Sequence, residues 1–194
     1  MAITVKRESL DTRAIHVSPS YTDQNDVQQL VGSDKPLPTR VLSTLRLDEG
    51  RAYATGVVRD SSNPLGNGAS IDLAIAFASG VTPTILISAL CGGDALGSLY
   101  EGATVTGGTA ITAMNMNRNS LSTSQSAILA QPTVSATGNL LLQEILLGGS
   151  GKKASGGDVD SLTLILKPLT TYLFRLTNTN GTSHIAEIIL SWHE

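Results

Sequence analysis

The sequence is poor in the residue types from which most catalytic and redox sites are built. Its 194 residues include one cysteine, three histidines, one tryptophan and two phenylalanines, and only 15% of them are charged. With a single cysteine, Cys91, no disulfide can form within the chain, and no surrounding sequence matches a thiol-enzyme motif. We therefore expect Cys91, which precedes Gly92 and Gly93, to be a small buried residue.

The chain also lacks the features of proteins that bind nucleic acids or membranes. Its formal net charge is -3, it has no run of Lys or Arg, and aromatic residues make up only 4%. That content is too low for a basic, stacking surface of the kind that holds nucleic acids. No apolar run reaches the ~18 residues of a membrane span, and the N-terminal sequence has no apolar signal-peptide core. We expect a protein that is made in a cytoplasm, is not exported, and binds neither nucleic acid nor membrane.

Three short patterns suggest cofactor or metal binding, and each departs from the motif it resembles. The glycine-rich residues 148–153 lack the spacing of a phosphate-binding loop and have Lys153 where Ser or Thr would bind magnesium. Asp158 and Asp160 offer too few oxygens for Ca²⁺, which takes roughly six to eight. The histidines are too few and too dispersed for a cupin-type centre; they are His16, His184 and His193. We expect no metal, no cofactor and no enzymatic activity.

Apolar and polar residues alternate with a period of two in several short runs. This period is typical of strands with one buried face. The clearest runs are residues 71–77, 162–166, 172–176 and 188–192. The alternation predicts a core that includes Leu164, Phe174, Leu190 and Trp192.

The runs recur every 8–12 residues or so, with glycine-rich turns between them, which indicates a sandwich or barrel. We predict an all-β domain over residues 41–194, specifically a jelly-roll-like antiparallel β-sandwich. Residues 41–47 are predicted as its first strand and residues 109–114 as another, and residues 134–147 as one strand or two. The last two strands are predicted to form a hairpin around the Asn-Gly turn at residues 178–181.

Residues 1–40 differ from the rest because they hold a large share of the charge and only scattered apolar residues. Proline favours an extended path, so we predict an extended N-terminal arm that grips a neighbouring subunit, with a helical turn at residues 26–31. One alternative is a poorly ordered terminus; another is that Ile3 and Val5 complete an edge of the sandwich. The predicted partner-binding residues of the arm are Lys6, Arg7, Arg13, Pro36 and Pro38.

Four segments together resemble small structural proteins of tailed bacteriophage particles. These segments are residues 99–110, 115–120, 148–153 and 166–178. Such proteins include head decoration (cement) proteins and minor virion proteins, and the resemblance covers roughly residues 41–194. It implies a jelly-roll component of the virion without enzymatic activity.

On this basis we expect a capsid decoration protein that binds and stabilises the assembled phage head lattice. Its expected partners are the major capsid protein or other virion subunits, and further copies of itself in trimers or dimers. The alternative is a tail- or fibre-associated protein that binds a receptor or a carbohydrate. Arg118, in a predicted Asx-type turn, is a further partner-binding candidate that would pair with a carboxylate; the alternative is a solvated loop arginine.

Overall fold

The computed structural model describes residues 20–22, 28–30, 42–148 and 163–194. The chain divides into two units, Met1–Val41 and Leu42–Glu194. In the first unit, β1 (Ser20–Thr22) pairs antiparallel with β2 (Gln28–Leu30), with Tyr21 opposite Gln29. The helical turn predicted for residues 26–31 is therefore wrong at residues 28–30. Pairing with a second strand satisfies backbone groups that a single helical turn would leave without partners.

The described part of the second unit contains one short helix and a series of strands. In chain order they are α1 (Leu42–Asp48), β3 (Ala52–Arg59), β4 (Ser70–Phe77), β5 (Thr84–Cys91), β6 (Ala95–Glu101), β7 (Thr104–Thr106), β8 (Thr109–Ala110), β9 (Met114–Asn115), β10 (Ser126–Ala130), β11 (Thr133–Ala136), β12 (Asn139–Leu146), β13 (Thr163–Ile165), β14 (Thr171–Asn178) and β15 (Ala186–His193).

Two antiparallel sheets pack face to face in this unit. One sheet has five strands in the order β13-β5-β15-β3-β9, and the other has six in the order β12-β6-β14-β4-β10-β8. Side chains from the inner faces of both sheets form a single large apolar cluster. The predicted all-β antiparallel sandwich is confirmed.

The core contains the residues that the two-residue periodicity predicts to be buried. Phe174, Leu190 and Trp192 are buried, and Leu164 is half-buried against the same cluster. The indole of Trp192 lies between two other rings, with centroid distances of 6.0 Å to Tyr53 and 5.9 Å to Phe77. Each fully buried large side chain contributes about 1.5–3 kcal/mol relative to exposure, so the alternating strands supply most of the stability of the sandwich.

A small third layer covers part of the outer face of the six-stranded sheet. Strands β7 and β11 form a two-stranded ribbon. Val105 and Val134 of this ribbon pack with Leu173 and Ala74, which point away from the main core. This cover explains why Ala74 and Leu173 are buried although they face away from the main core, which single-sided alternation does not predict.

Residues 42–48 form helix α1, so the strand predicted over residues 41–47 is wrong. The helix ends in a Schellman motif, in which Gly50 N–H donates to Leu47 O at 3.0 Å and Arg51 N–H donates to Arg46 O at 2.8 Å. Gly50 has a φ of 68°, which glycine adopts without the cost of a Cβ. The segment is so short that its leucines fit both a helical and a strand period. Gly50 is the residue that favours the helix.

The last two strands do not form the predicted hairpin. Strand β14 lies in the six-stranded sheet and β15 in the five-stranded sheet, so residues 179–185 connect the two sheets. Gly181 has the expected positive φ of 78°. A tight turn with this conformation is compatible with a connection between two sheets as well as with a hairpin.

Two other segments predicted as strands each contain two separate strands. The strand predicted over residues 109–114 is split between β8, which pairs with β10, and β9, which pairs with β3 in the other sheet. Residues 134–147 give two strands, β11 and β12, consistent with the second of the two predicted possibilities.

Candidate interaction surfaces

Two charged side chains of the six-stranded sheet form a bidentate ion pair. Arg175 donates two hydrogen bonds of 2.7 Å to the carboxylate of Asp72 across neighbouring strands of the six-stranded sheet. This bidentate geometry fixes both groups and neutralises two charges on a largely covered face.

A second polar cluster joins the end of β6 to the start of β14. The carboxylate of Glu101 accepts hydrogen bonds from Lys167 Nζ and Tyr172 Oη, both at 2.8 Å, while Tyr172 Oη accepts one from Lys167 N–H at 3.0 Å. The hydrogen bonds from Lys167 and Tyr172 hold the pKa of Glu101 below its usual range. Burial raises the pKa of the Tyr172 hydroxyl. Both shifts keep the groups in their ordinary protonation states at neutral pH, as expected of a structural cluster.

The two described histidines differ in their surroundings. His184 Nε2 lies 2.7 Å from Asn180 Nδ2 and 2.9 Å from Thr182 Oγ1. His193 Nδ1 is buried without a hydrogen-bond partner, and burial together with the positive charge of Arg46 lowers the pKa of this imidazole. Within the described residues, no three His, Cys, Asp or Glu side chains are placed to hold a metal ion, and no helix there has the length and apolar character of a membrane span.

Arg118 lies in a loop that side-chain amides hold in place against the end of α1. Asn115 Nδ2 donates to Gly50 O at 2.8 Å and to Ser122 O at 2.9 Å, and Asn117 Nδ2 donates to Asp48 O at 3.0 Å. Asn115 Oδ1 and Asn117 Oδ1 each accept a hydrogen bond from the backbone N–H of the residue two positions later, as in an Asx turn. The loop therefore has one well-defined conformation.

This loop, residues 114–121, presents apolar side chains outward, and we call it the apolar loop. Leu121 is 98% exposed, Met114 is 51% exposed and Met116 is 43% exposed. Arg118 is exposed beside them, and its guanidinium donates a hydrogen bond to Asn115 O at 3.3 Å. Because hydrogen bonds already order the backbone, binding would cost little backbone entropy, and Met and Arg are enriched at protein interfaces. The loop therefore has the character of a protein contact.

The outermost strands on one side of the sandwich are β13 and β12. The described residues of β13, Thr163–Ile165, pair with residues 84–86 of β5. Strand β12 is the outermost strand of the opposite sheet, and its exposed apolar residues include Leu140 and Ile145.

An apolar slot lies between the sheets, between β5 and β12. Its volume is about 40 Å³. Its apolar lining includes Ile87 and Ala89 of β5 and Leu142 and Leu146 of β12. Glu144, also on the inner face of β12, borders the slot, and its carboxylate forms no hydrogen bond or ion pair with a described residue.

Most of the residues singled out by sequence lie outside the described part of the chain. These residues are Lys6, Arg7, Arg13, His16, Pro36, Pro38, Asp158 and Asp160, and residues 149–153 of the glycine-rich stretch are outside it as well. Of the predicted partner-binding residues, only Arg118 is placed. The apolar loop was not predicted, since a single exposed leucine leaves no periodic signal in a sequence.

No protein-family model, no curated protein and no solved structure matches the chain.

Proposed function

We propose that this chain is a non-enzymatic structural protein of a tailed-phage virion, a decoration protein that binds the assembled head lattice. The observation that carries the proposal is the apolar loop, in which Met114, Met116 and Leu121 are exposed on a hydrogen-bonded backbone. Apolar side chains exposed together on one ordered segment mark a candidate protein-interaction site. The resemblance of four segments to virion structural proteins supplies the class of partner, the major capsid protein or another virion subunit.

The order of the long strands supports a finer proposal, that the sandwich is a jelly roll. Successive long strands alternate between sheets from β3 to β6, and again from β12 to β15. The resulting neighbours are β3-β15-β5-β13 in one sheet and β4-β14-β6-β12 in the other. Four strands in each of two facing sheets is the arrangement of an eight-stranded jelly roll, a fold used in viral capsids and also in lectins and cupins. Fold alone does not specify function, so the proposal depends on the exposed side chains of the apolar loop.

The proposed mechanism is thermodynamic. A protein that binds only the assembled lattice stabilises that state by mass action. Several copies held together in a trimer or dimer would strengthen individually weak contacts by avidity. The internal pairing of Asp72 with Arg175, and of Glu101 with Lys167 and Tyr172, fits a role that needs a rigid scaffold and no reactive group.

The first test is the number of copies of the protein in purified particles. Hundreds of copies per particle would support the lattice position, whereas a handful would favour the tail- or fibre-associated alternative. Absence from purified particles would refute both virion assignments.

The second test asks whether the apolar loop makes the contact. Leu121→Ser and Arg118→Glu should reduce recovery of the protein on empty capsids in a sedimentation assay. Both side chains are exposed, so the melting temperature of the isolated protein should stay within about 2 °C, as for most surface substitutions. The matched control is Val58→Thr, which alters an exposed apolar residue on the outer face of the five-stranded sheet. Equal recovery of all the variants would contradict a role for the loop.

A further inference from the structure

A polar pocket lies on the outer face of the five-stranded sheet, beside helix α1. Its volume is about 320 Å³, within the range of roughly 300–1,000 Å³ for sites that bind small molecules. All the residues that line it belong to the described part of the sandwich unit. In the register of the sheet, His193 lies opposite Thr84 and Ser191 lies opposite Leu86. These four side chains share one face of the sheet and form the floor of the pocket, and Arg46 of α1 lines its side.

The hydrogen-bonding groups of this pocket are not used within the described part of the chain. The hydroxyls of Thr84 and Ser191 form no hydrogen bond with a described residue. Arg46 Nη1 lies 3.7 Å from Glu49 Oε2, which is too long for a hydrogen bond. The Nδ1 atom of His193 is buried and has no hydrogen-bond partner among the described residues. Buried polar atoms seldom lack a partner, so these groups together have the character of a site that is completed by a bound molecule.

The charges around the pocket restrict the charge of a ligand. The planar guanidinium of Arg46 matches a carboxylate, which it can hold through two parallel hydrogen bonds. Burial and the positive charge of Arg46 lower the pKa of His193, so this imidazole is neutral at neutral pH and adds no second positive charge. Glu194 also borders the pocket, and its side-chain carboxylate accepts hydrogen bonds from Gln125 N–H and Trp192 Nε1. One cation with a carboxylate nearby favours a ligand with a single negative charge over one with two.

We propose that this pocket binds a sugar acid, a small molecule that combines one carboxylate with several hydroxyls. The carboxylate pairs with Arg46, the ring hydroxyls exchange hydrogen bonds with Thr84 and Ser191, and the apolar side of the ring packs on Leu86, which is 44% exposed. A hydroxyl both donates and accepts, so this lining suits a polyhydroxylated ligand better than an inorganic oxyanion, which offers mainly acceptors. The inference concerns a site on the sandwich and does not depend on the proposed place of the protein in a virion.

The test is a titration of the full-length, isotope-labelled protein with sodium D-glucuronate, followed by two-dimensional NMR. Glucuronate should shift the amide signals of Thr84, Ser191 and His193 in a saturable manner. D-glucose, which has the ring without the carboxylate, should bind about tenfold or more weakly, and so should acetate, which has the carboxylate without the ring. Methyl D-glucuronide distinguishes two sources of the ligand. If it binds as well as glucuronate, the pocket accepts the terminal residue of an acidic glycan, whereas binding of the unsubstituted acid alone indicates a small-molecule ligand.

Variants assign the contacts. Arg46→Gln should weaken glucuronate binding by about tenfold or more, because it removes charge-assisted hydrogen bonds. Thr84→Val and Ser191→Ala each remove one hydroxyl and should each weaken binding by about threefold. The matched control is Arg59→Gln, which removes the same charge at the other end of β3, opposite Ala186, and should bind glucuronate as the unaltered protein does. Thermal melting of every variant establishes that the sandwich is intact.

The proposal is refuted if millimolar glucuronate causes no saturable shifts at the pocket residues, since the pocket would then hold only water or another segment of the chain. It is also refuted if glucose binds as well as glucuronate, if inorganic phosphate binds more tightly, or if Arg46→Gln and Arg59→Gln weaken binding equally. None of these outcomes bears on the virion assignment, because the copy number in purified particles does not depend on this pocket.

Discussion

Replacing Asn178 tests the connection between the two sheets. This side chain is fully buried. Its Nδ2 donates to Leu65 O and Thr182 O, both at 2.7 Å, and its Oδ1 accepts from Asn180 N–H at 3.0 Å. One amide thus satisfies backbone groups on both sides of the crossing between β14 and β15.

Asn178→Ala removes all three hydrogen bonds. At about 1 kcal/mol each, we expect the free energy of unfolding to fall by about 3 kcal/mol. For a chain of this size that loss corresponds to a melting temperature lower by about 6–12 °C. Leu65 O retains a second hydrogen bond, from His184 N–H at 3.0 Å, so the penalty falls mainly on Thr182 O and Asn180 N–H.

The assay is urea unfolding followed by tryptophan fluorescence, which reports on the buried Trp192. The control is Asn67→Ala, which removes one exposed hydrogen bond to Gly181 N–H and should cost under about 1 kcal/mol. A loss below about 1 kcal/mol in Asn178→Ala would refute the reasoning, since it would mean that water replaces the buried amide at little cost.

A second variant tests whether the amide nitrogen is needed as a donor. Asn178→Asp keeps an acceptor for Asn180 N–H but places a carboxylate oxygen against the carbonyls of Leu65 and Thr182. At neutral pH it should therefore destabilise the protein more than Asn178→Ala does, and it should recover part of the loss as acid protonates the carboxylate. The opposite order of the two variants would mean that the donated hydrogen bonds contribute little to stability.

Two further predictions concern the core and the buried histidine. Phe174→Ala should lower the free energy of unfolding by about 3–5 kcal/mol in urea titration, and a loss under about 1 kcal/mol would show that the ring does not face the core. The pKa of His193 is lower in the folded protein than in the unfolded chain, so the unfolded state takes up a proton first and stability declines as pH falls below about 6.5. His193→Gln should lose this part of the pH dependence in urea titrations between pH 5 and pH 8, and identical profiles for both proteins would contradict it.

The sequence predicted the faces of strands better than it predicted their partners. The alternation at residues 71–77, 172–176 and 188–192 identified buried positions correctly, because burial of every second residue is a local pattern that each strand carries by itself. The pairing of β14 with β4 and β6, and of β15 with β3 and β5, depends on contacts between residues far apart in the chain. The turn chemistry at Gly181 is compatible with either arrangement, so the hairpin was predicted wrongly.

The candidate surfaces were harder to predict than the core. Arg118 was chosen from its place in an Asn-rich turn, and the structure puts it in the apolar loop. The exposure of Met114 and Leu121 there follows from long-range amide hydrogen bonds to the α1–β3 turn, which no local pattern encodes. In helix α1, Leu42 and Leu45 have the spacing of a helix, and Leu45 and Leu47 have the spacing of a strand. The leucines therefore do not decide between the two, and Gly50, which ends the helix, was the more informative residue.

The two sides of the sandwich differ in the length of their outer strands. On one side the outer strands β8 and β9 have only two residues each, and short edge strands offer little backbone for pairing with another chain. On the other side β12 has eight residues, so its length gives it no such protection. Glu144 is the only charged residue of β12, and it borders the slot between the sheets. An inward-facing charge on an edge strand disfavours pairing with an apolar strand of another chain, so Glu144 protects on this side what short strands protect on the other.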